Sequence, residues 1–143
     1  MPGGPWAVRR SGGGGGHRRG RAALEVYEHG ELLDVLVASR LAPRLLRGAR
    51  RSTGGGRPLA LAWGRLPARG PLPVVEFTGG RLPLRRRARA VAPAVPVSGA
   101  FWLAWVEGPF TTVRLRDSTG DAPDERLRLA RARRAGAASG GAA

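Results

Sequence analysis

The sequence predicts an α+β fold in which a small antiparallel sheet of about five or six strands packs against one helix. Three observations predict this fold. Apolar residues recur at helical spacing over 31–41, short apolar segments bounded by Gly and Pro fill 58–130, and Gly, Ala and Arg dominate the termini.

The 143 residues fit one domain with two tails, because a domain of about 100 to 150 residues buries a usable core. We expect residues 1–21 to be a disordered Gly/Arg-rich tail, since glycine loses the most backbone entropy on ordering and has no side chain to bury. Residues 22–134 are expected to form a single α+β domain, with a helical part at 31–50 and a β-rich part at 58–130. Residues 135–143 are expected to be a second disordered tail.

The helical part follows a turn-like segment. Leu33, Val37 and Leu41 recur at helical spacing, and Pro43 ends or kinks the helix near Leu41. The preceding residues 24–28 fit either a strand or a helix, and the pattern does not decide between them.

Two hairpins are predicted in the β-rich part. Segments 74–78 and 81–87 flank Gly79-Gly80, which is a two-residue hairpin signal. Residues 99–115 contain two strands joined by a turn at 107–110, where Gly and Pro reverse the chain. The first of these strands is apolar on both faces, so we expect it to be central and Trp105 to lie in the core, with the second strand nearer an edge. Shorter strands are expected at 59–63 and 125–130.

The charge of the chain has two explanations. A formal net charge of +15 ordinarily indicates nucleic acid or an anionic membrane surface as a partner. All 25 basic residues are Arg, however, and Lys, Asn and Ile, which AT-rich codons encode, are absent. This composition is typical of a high-GC bacterial gene, so part of the positive charge follows from codon usage.

No motif in the sequence indicates catalysis, a cofactor or a metal. Cys is absent, and His17 and His29 have no partner at metal-ligand spacing. Without Lys a phosphate-binding loop is impossible, and no Ser stands in a G-x-S-x-G elbow. The acidic group at 117–125 departs from a calcium loop, because Gly120 is at the fourth position, so a polar turn is favoured. We expect a non-enzymatic protein without cofactors.

The sequence also indicates a compartment. No apolar run approaches the roughly 18 residues of a membrane helix, and glycines rather than an apolar segment follow Arg9-Arg10. We therefore expect a cytoplasmic protein with no membrane span.

The arginines supply the one set of candidate binding residues. If 116 and 126 close a hairpin, then Arg114 and Arg116 share a face with Arg126 and Arg128, above Leu115, Leu127 and Leu129. Guanidinium groups on a sheet face are suited to binding phosphate. The alternative is a solvent-exposed face without a ligand, on which the Arg stems cover apolar surface. The candidate nucleic-acid-binding residues are Arg85, Arg86, Arg87, Arg114, Arg116, Arg126 and Arg128.

Two functions follow from these observations. The leading expectation is an interaction module that binds a protein partner, because Trp and Arg are both enriched at binding hot spots. The alternative is a nucleic-acid-binding protein that uses the Arg-rich face and the N-terminal tail, with aromatic residues of strand 101–106 stacking on bases. The sequence does not indicate an oligomeric state.

Overall fold

A computed structural model describes residues 4–12, 20–39, 41, 44–79, 88–116 and 124–131. This part of the chain is all-β, with twelve strands and no helix. The strands are β1 (Trp6–Ser11), β2 (Ala23–Glu28), β3 (Glu31–Val37), β4 (Leu46–Gly54), β5 (Arg57–Arg65), β6 (Val74–Gly79), β7 (Ala88–Ala92), β8 (Val95–Val97), β9 (Phe101–Glu107), β10 (Thr112–Arg116), β11 (Glu125–Arg128) and β12 (Ala130–Arg131). They form sheet A (β1-β2-β3), sheet B (β12-β4-β5-β9-β8) and sheet C (β11-β10-β6-β7).

The predicted α+β class is wrong, and so is the helical part at 31–50. Residues 31–37 form β3, which pairs antiparallel with β2, and 46–50 belong to β4. The turn between β2 and β3 explains the outcome: His29 and Gly30 both have positive φ, 49° and 81°, as a tight two-residue hairpin turn requires. Local turn chemistry outweighs the helical spacing of three apolar residues, and residues 24–28 form a strand.

The N-terminal segment contributes the first strand. β1 pairs antiparallel with β2, and Trp6 is only 4% exposed. Its indole Nε1 donates a hydrogen bond to Glu28 Oε1 at 2.9 Å. The prediction of a disordered tail over 1–21 is therefore wrong for Trp6–Ser11, while the tail predicted at 135–143 lies outside the described residues.

The hairpin predicted within 99–115 is also wrong, because β9 belongs to sheet B and β10 to sheet C. Gly108 has φ 148°, and a side chain there would collide with the ring of Phe110. Phe110 is buried in turn against Phe77, with ring centroids 6.0 Å apart. The chain thus crosses between sheets at the residues that looked like a tight turn.

The hairpin predicted at Gly79-Gly80 has a different second strand. β6 pairs antiparallel with β7, Ala88–Ala92. The arm predicted over 81–87 lies outside the described residues.

Sheet B is the middle layer of the fold. One of its faces packs on sheet C in a cluster that includes Trp102, Phe77 and Val113, and its other face packs on sheet A in a cluster that includes Leu61, Phe101 and Leu24. Because both faces are covered, β5 and β9 read as continuous apolar runs rather than alternating ones. The central position expected for 101–106 is confirmed, since β9 lies between β5 and β8.

Sheets B and C adjoin at both borders. β7 in sheet C is followed closely by β8 in sheet B, and β11 in sheet C is followed by β12 in sheet B. Glu125 closes one border, because its carboxylate accepts the backbone N–H groups of Leu45 and Leu46 at 2.9 Å. This leaves the outer face of sheet C as a broad solvent-facing surface. The described residues include no helix long and apolar enough to cross a membrane.

Candidate interaction surface

Alternation along β10 and β11 sends their basic residues to the outer face of sheet C. Val113 and Leu115 are buried against sheet B, so Arg114 and Arg116 face outward. Cross-strand register then places the other arginines on the same face: Arg126 lies opposite Arg114, Arg128 opposite Thr112, and Arg89 opposite Thr78. We call Arg89, Arg114, Arg116, Arg126 and Arg128 the arginine face.

A buried carboxylate lies at the centre of the arginine face. Glu76 is directly opposite Arg114 in the β6–β10 register, yet it is only 5% exposed. Arg89 Nη2 donates to Glu76 Oε2 at 2.6 Å, and Arg116 Nη1 lies 3.9 Å from the same oxygen. A charge with so little exposure requires pairing, and these guanidinium groups supply it.

A second carboxylate pairs with the middle of the face. The Arg114 guanidinium donates a hydrogen bond to Asp124, and this contact holds the pKa of Asp124 below its usual range, with smaller contributions from the charges of Arg116 and Arg126. The same hydrogen bond raises the pKa of Arg114. The Nε of Arg114 is buried and has no hydrogen-bond partner within the described part of the chain.

Arg126 and Arg128 differ from the other three arginines. Both are exposed, and among the described residues neither forms an ion pair or hydrogen bond with a carboxylate. Among the described residues, five guanidinium groups and two carboxylates leave three net positive charges on the face. At the β7 end Val91 adds apolar surface that is 59% exposed. The surface therefore combines paired charges at its centre, free cations at one side and an apolar residue at the other.

The structure brings together part of the set that the sequence predicted. Arg114, Arg116, Arg126 and Arg128 share one face, with Leu115 and Leu129 buried and Leu127 partly buried beneath them. The predicted register is wrong by two residues, because Arg126 pairs with Arg114 and not with Arg116, but a shift of two keeps the same side chains on the face. Arg85, Arg86 and Arg87 lie outside the described residues. The predicted binding residues do not include Arg89 or Glu76, although the alternation in V-V-E-F-T of β6 indicates that Glu76 faces the arginines.

The aromatic residues are not on this surface. Phe101 and Trp102 are fully buried, one in each core cluster. Trp105 is 42% exposed, so its expected place in the core is wrong, and it lies on the face of sheet B that is turned away from sheet C. Within the described residues, the arginine face carries no ring on which a base could stack.

A second group of charges lies between sheets A and B. Asp34 accepts two hydrogen bonds from Arg47, both at 3.1 Å, and one from Trp63 Nε1 at 3.0 Å. Burial alone would raise the pKa of Asp34, but the hydrogen bonds from Arg47 and Trp63 outweigh burial and lower it. Arg47 is aimed at sheet A by a bulge in β4. A shallow cleft of about 260 Å³ adjoins these residues.

This network is already satisfied within the protein, so we assign it the role of holding sheet A on sheet B. A similar contact nearby also holds sheet A on sheet B. Glu28 accepts a hydrogen bond from Arg50 at 3.2 Å and another from Trp6. In the described residues no three His, Cys, Asp or Glu side chains come together as a metal site. Comparisons with protein-family models, curated proteins and solved structures find no match to this chain.

Proposed function

We propose that the chain is a non-enzymatic interaction module whose arginine face binds an acidic protein partner. The observation that carries the proposal is that three of the five arginines pair with carboxylates and two do not pair with any described carboxylate. Arg89, Arg114 and Arg116 are held by Glu76 and Asp124, whereas Arg126 and Arg128 stand exposed beside them and pair with no carboxylate of the described residues. An ordered centre with free cations at its side presents fixed donors for carboxylates, which guanidinium groups bind in a bidentate manner.

The mixed character of the face favours protein over nucleic acid. Two carboxylates at its centre repel a phosphate backbone, while a protein interface accommodates both signs of charge and apolar contact. Val91 supplies such apolar contact at one end. Single-stranded nucleic acid also gains much of its affinity from stacking on aromatic rings, and the described part of the face has none. The nucleic-acid alternative rests on the same arginines and is separable by experiment.

The experiment measures binding of labelled polyglutamate and of labelled duplex DNA by fluorescence anisotropy over a range of salt concentrations. The test variant carries Arg126→Ser and Arg128→Ser. The matched control carries Arg57→Ser and Arg69→Ser, which changes the net charge equally at exposed positions elsewhere. Each charge-assisted hydrogen bond is worth about 1.5–3 kcal/mol, so we expect polyglutamate affinity to fall at least tenfold in the test variant and little in the control.

Two outcomes would overturn the proposal. If both variants lose polyglutamate affinity equally, the binding follows net charge and has no site. If only duplex DNA binding depends on Arg126 and Arg128, with a salt slope that falls by roughly 0.9 for each lost phosphate contact, the nucleic-acid alternative replaces it.

A further inference from the structure

Sheet A has two edge strands, and they differ in how far their outward backbone groups are occupied by hydrogen bonds. The order β1-β2-β3 leaves β1 and β3 each with one unpaired side. Unpaired N–H and C=O groups at a sheet edge are a template for pairing with another extended chain, and proteins ordinarily block them. The hydrogen bonds at each edge show which one is blocked.

The groups that point outward follow from the ladder. His29 N donates to Pro5 O at 2.7 Å, which fixes the hydrogen-bonded positions of the β1–β2 ladder. In β1 the backbone groups of Ala7, Arg9 and Ser11 form hydrogen bonds with β2. The N–H and C=O groups of Val8 and Arg10, at the intervening positions, point away from the sheet. Ala38 N donates to Ala22 O at 2.8 Å. By the same alternation, residues 35 and 37 are the outward positions in the part of β3 between Asp34 and its end, beyond the register shift of the β2–β3 ladder.

At each of Val35 and Val37, one outward backbone group is occupied. Val35 N–H donates to Asp34 Oδ1 at 2.9 Å, and Val37 C=O accepts from Arg65 Nε at 3.3 Å. Asp34 is fixed in place by Arg47 and Trp63, so this capping is part of the contact between sheets A and B. An incoming strand would have to displace both side chains, so β3 is protected over residues 35–37.

Among the described residues, nothing occupies the outward groups of β1 over its second half. No described residue donates to or accepts from the backbone of Val8 or Arg10 on that side. Val8 is half-buried and Arg10 is exposed, whereas Trp6 at the start of the strand is covered. The open segment runs from Val8 to Ser11.

We propose that this open edge of β1 binds an extended, acidic segment of another protein by strand addition. Main-chain hydrogen bonds to Val8 and Arg10 supply the pairing. Arg10 is exposed and lies beside the open edge. Arg9, on the other face of the ribbon, lies over the Tyr27 ring of β2, with its guanidinium carbon 5.3 Å from the ring centroid. Acidic side chains at alternate positions of the added strand therefore meet the Arg10 guanidinium on one face.

A second copy of the chain fits this edge poorly. Pairing two β1 strands would bring four arginines onto one short ribbon, between chains that each carry a net charge of +15, and like charges across a ladder are destabilising. This surface lies on sheet A and does not depend on the arginine face of sheet C.

Amide hydrogen exchange followed by NMR tests the edge in the unmodified chain. In the free protein we expect the amides of Val8 and Arg10 to exchange fast and those of Ala7 and Arg9 to be protected. A peptide of alternating Glu and Thr should protect Val8 and Arg10, and the same peptide with methylated backbone amides should not. Protection of Val8 and Arg10 in the free protein, or failure of the unmethylated peptide to slow them, would overturn the proposal.

Substitutions at one position separate the backbone from the charge. Arg10→Pro removes the outward N–H and the charge, while Arg10→Ala removes the charge alone, and neither changes a β1–β2 hydrogen bond. We expect Arg10→Pro to bind the Glu/Thr peptide at least tenfold more weakly than Arg10→Ala, with equal thermal stability. Equal binding by the two variants would show attraction to charge without strand addition. The Arg126→Ser, Arg128→Ser variant should bind this peptide at β1 as the unmodified chain does, and loss of the Val8 and Arg10 protection in it would count against a separate site.

Discussion

Arg89 Nη2 lies 2.6 Å from Glu76 Oε2, and this contact places a nearly buried carboxylate at the centre of a basic sheet face. Outward positions on a solvent-facing sheet are ordinarily exposed. Glu76 is nearly buried, although the two guanidinium groups that approach its carboxylate belong to side chains that are about half exposed, Arg89 at 56% and Arg116 at 46%. The pair thereby gives fixed positions to side chains that would otherwise sample many rotamers.

Neutralising Glu76 should strengthen anion binding at the arginine face. Glu76→Gln keeps the size of the side chain and raises the net charge by one, so we expect a severalfold higher affinity for polyglutamate at low salt. Because Arg89 is more than half exposed, the loss of stability should be only about 1 kcal/mol. Glu107→Gln is the matched control, since Glu107 pairs with Arg57 at an exposed position outside sheet C. An equal gain in both variants would show that charge acts without regard to place.

The N-terminal strand should be essential to stability. Trp6→Ala removes a nearly buried ring and its hydrogen bond to Glu28, and it should lower the free energy of unfolding by about 3–5 kcal/mol. Trp105→Ala is the comparison, because Trp105 is 42% exposed and should cost roughly 1 kcal/mol. Urea unfolding measures both values. If Trp105→Ala proved the more damaging of the two, the assignment of the two tryptophans to core and surface would be wrong.

The contact between sheets A and B should weaken in acid. The pKa of Asp34 in the folded chain lies below its unfolded value of 3.8, so the unfolded state takes up the proton first as pH falls. The stabilising contribution of Asp34 is therefore fully present above about pH 4 and is lost as pH falls through the folded pKa.

Asp34→Asn should remove this dependence. We expect the variant to be less stable than the unmodified chain at neutral pH and the difference between them to shrink below pH 4, as followed by urea midpoints. Asp124→Asn is the comparison. The pKa of Asp124 is lowered in the same direction, but because Asp124 is exposed and pairs within sheet C, we expect a weaker pH trend in stability for that variant. A stability difference for Asp34→Asn that stayed constant across this pH range would contradict the account.

The sequence predicted sheet elements better than it predicted their partners. The apolar runs of β5 and β9 and the alternation of β10 and β11 are local signals, and they placed Arg114 and Arg126 on one face. The switch of the chain from sheet B to sheet C at Gly108 is not local, because it depends on Phe110 finding a site against Phe77. A Gly-Pro pair indicates a change of chain direction, but it does not indicate which sheet the next strand joins.

The wrong predictions of a helix over 31–41 and of a disordered N-terminal tail have identifiable physical causes. Over 31–37, the apolar residues that recur at helical spacing also alternate in part with polar ones, as in a strand. The turn at His29-Gly30, where both residues have positive φ, favours a hairpin. At the N-terminus, composition outweighed the single informative residue, Trp6, whose burial requires sheets A and B to be stacked. The pairing of Arg89 with Glu76 depends on the β6–β7 register, which the predicted arm at 81–87 did not provide.

The most direct test of the arginine face is to follow the arginine Nε–H signals by NMR while polyglutamate is added. We expect the signals of Arg126 and Arg128 to shift first and furthest, with smaller shifts for the paired Arg89, Arg114 and Arg116. The signals of Arg57 and Arg69 should stay nearly unchanged at physiological salt. Shifts at Arg57 and Arg69 as large as those at Arg126 and Arg128 would contradict this expectation, because the protein would then attract acidic chains through its total charge and not through one face.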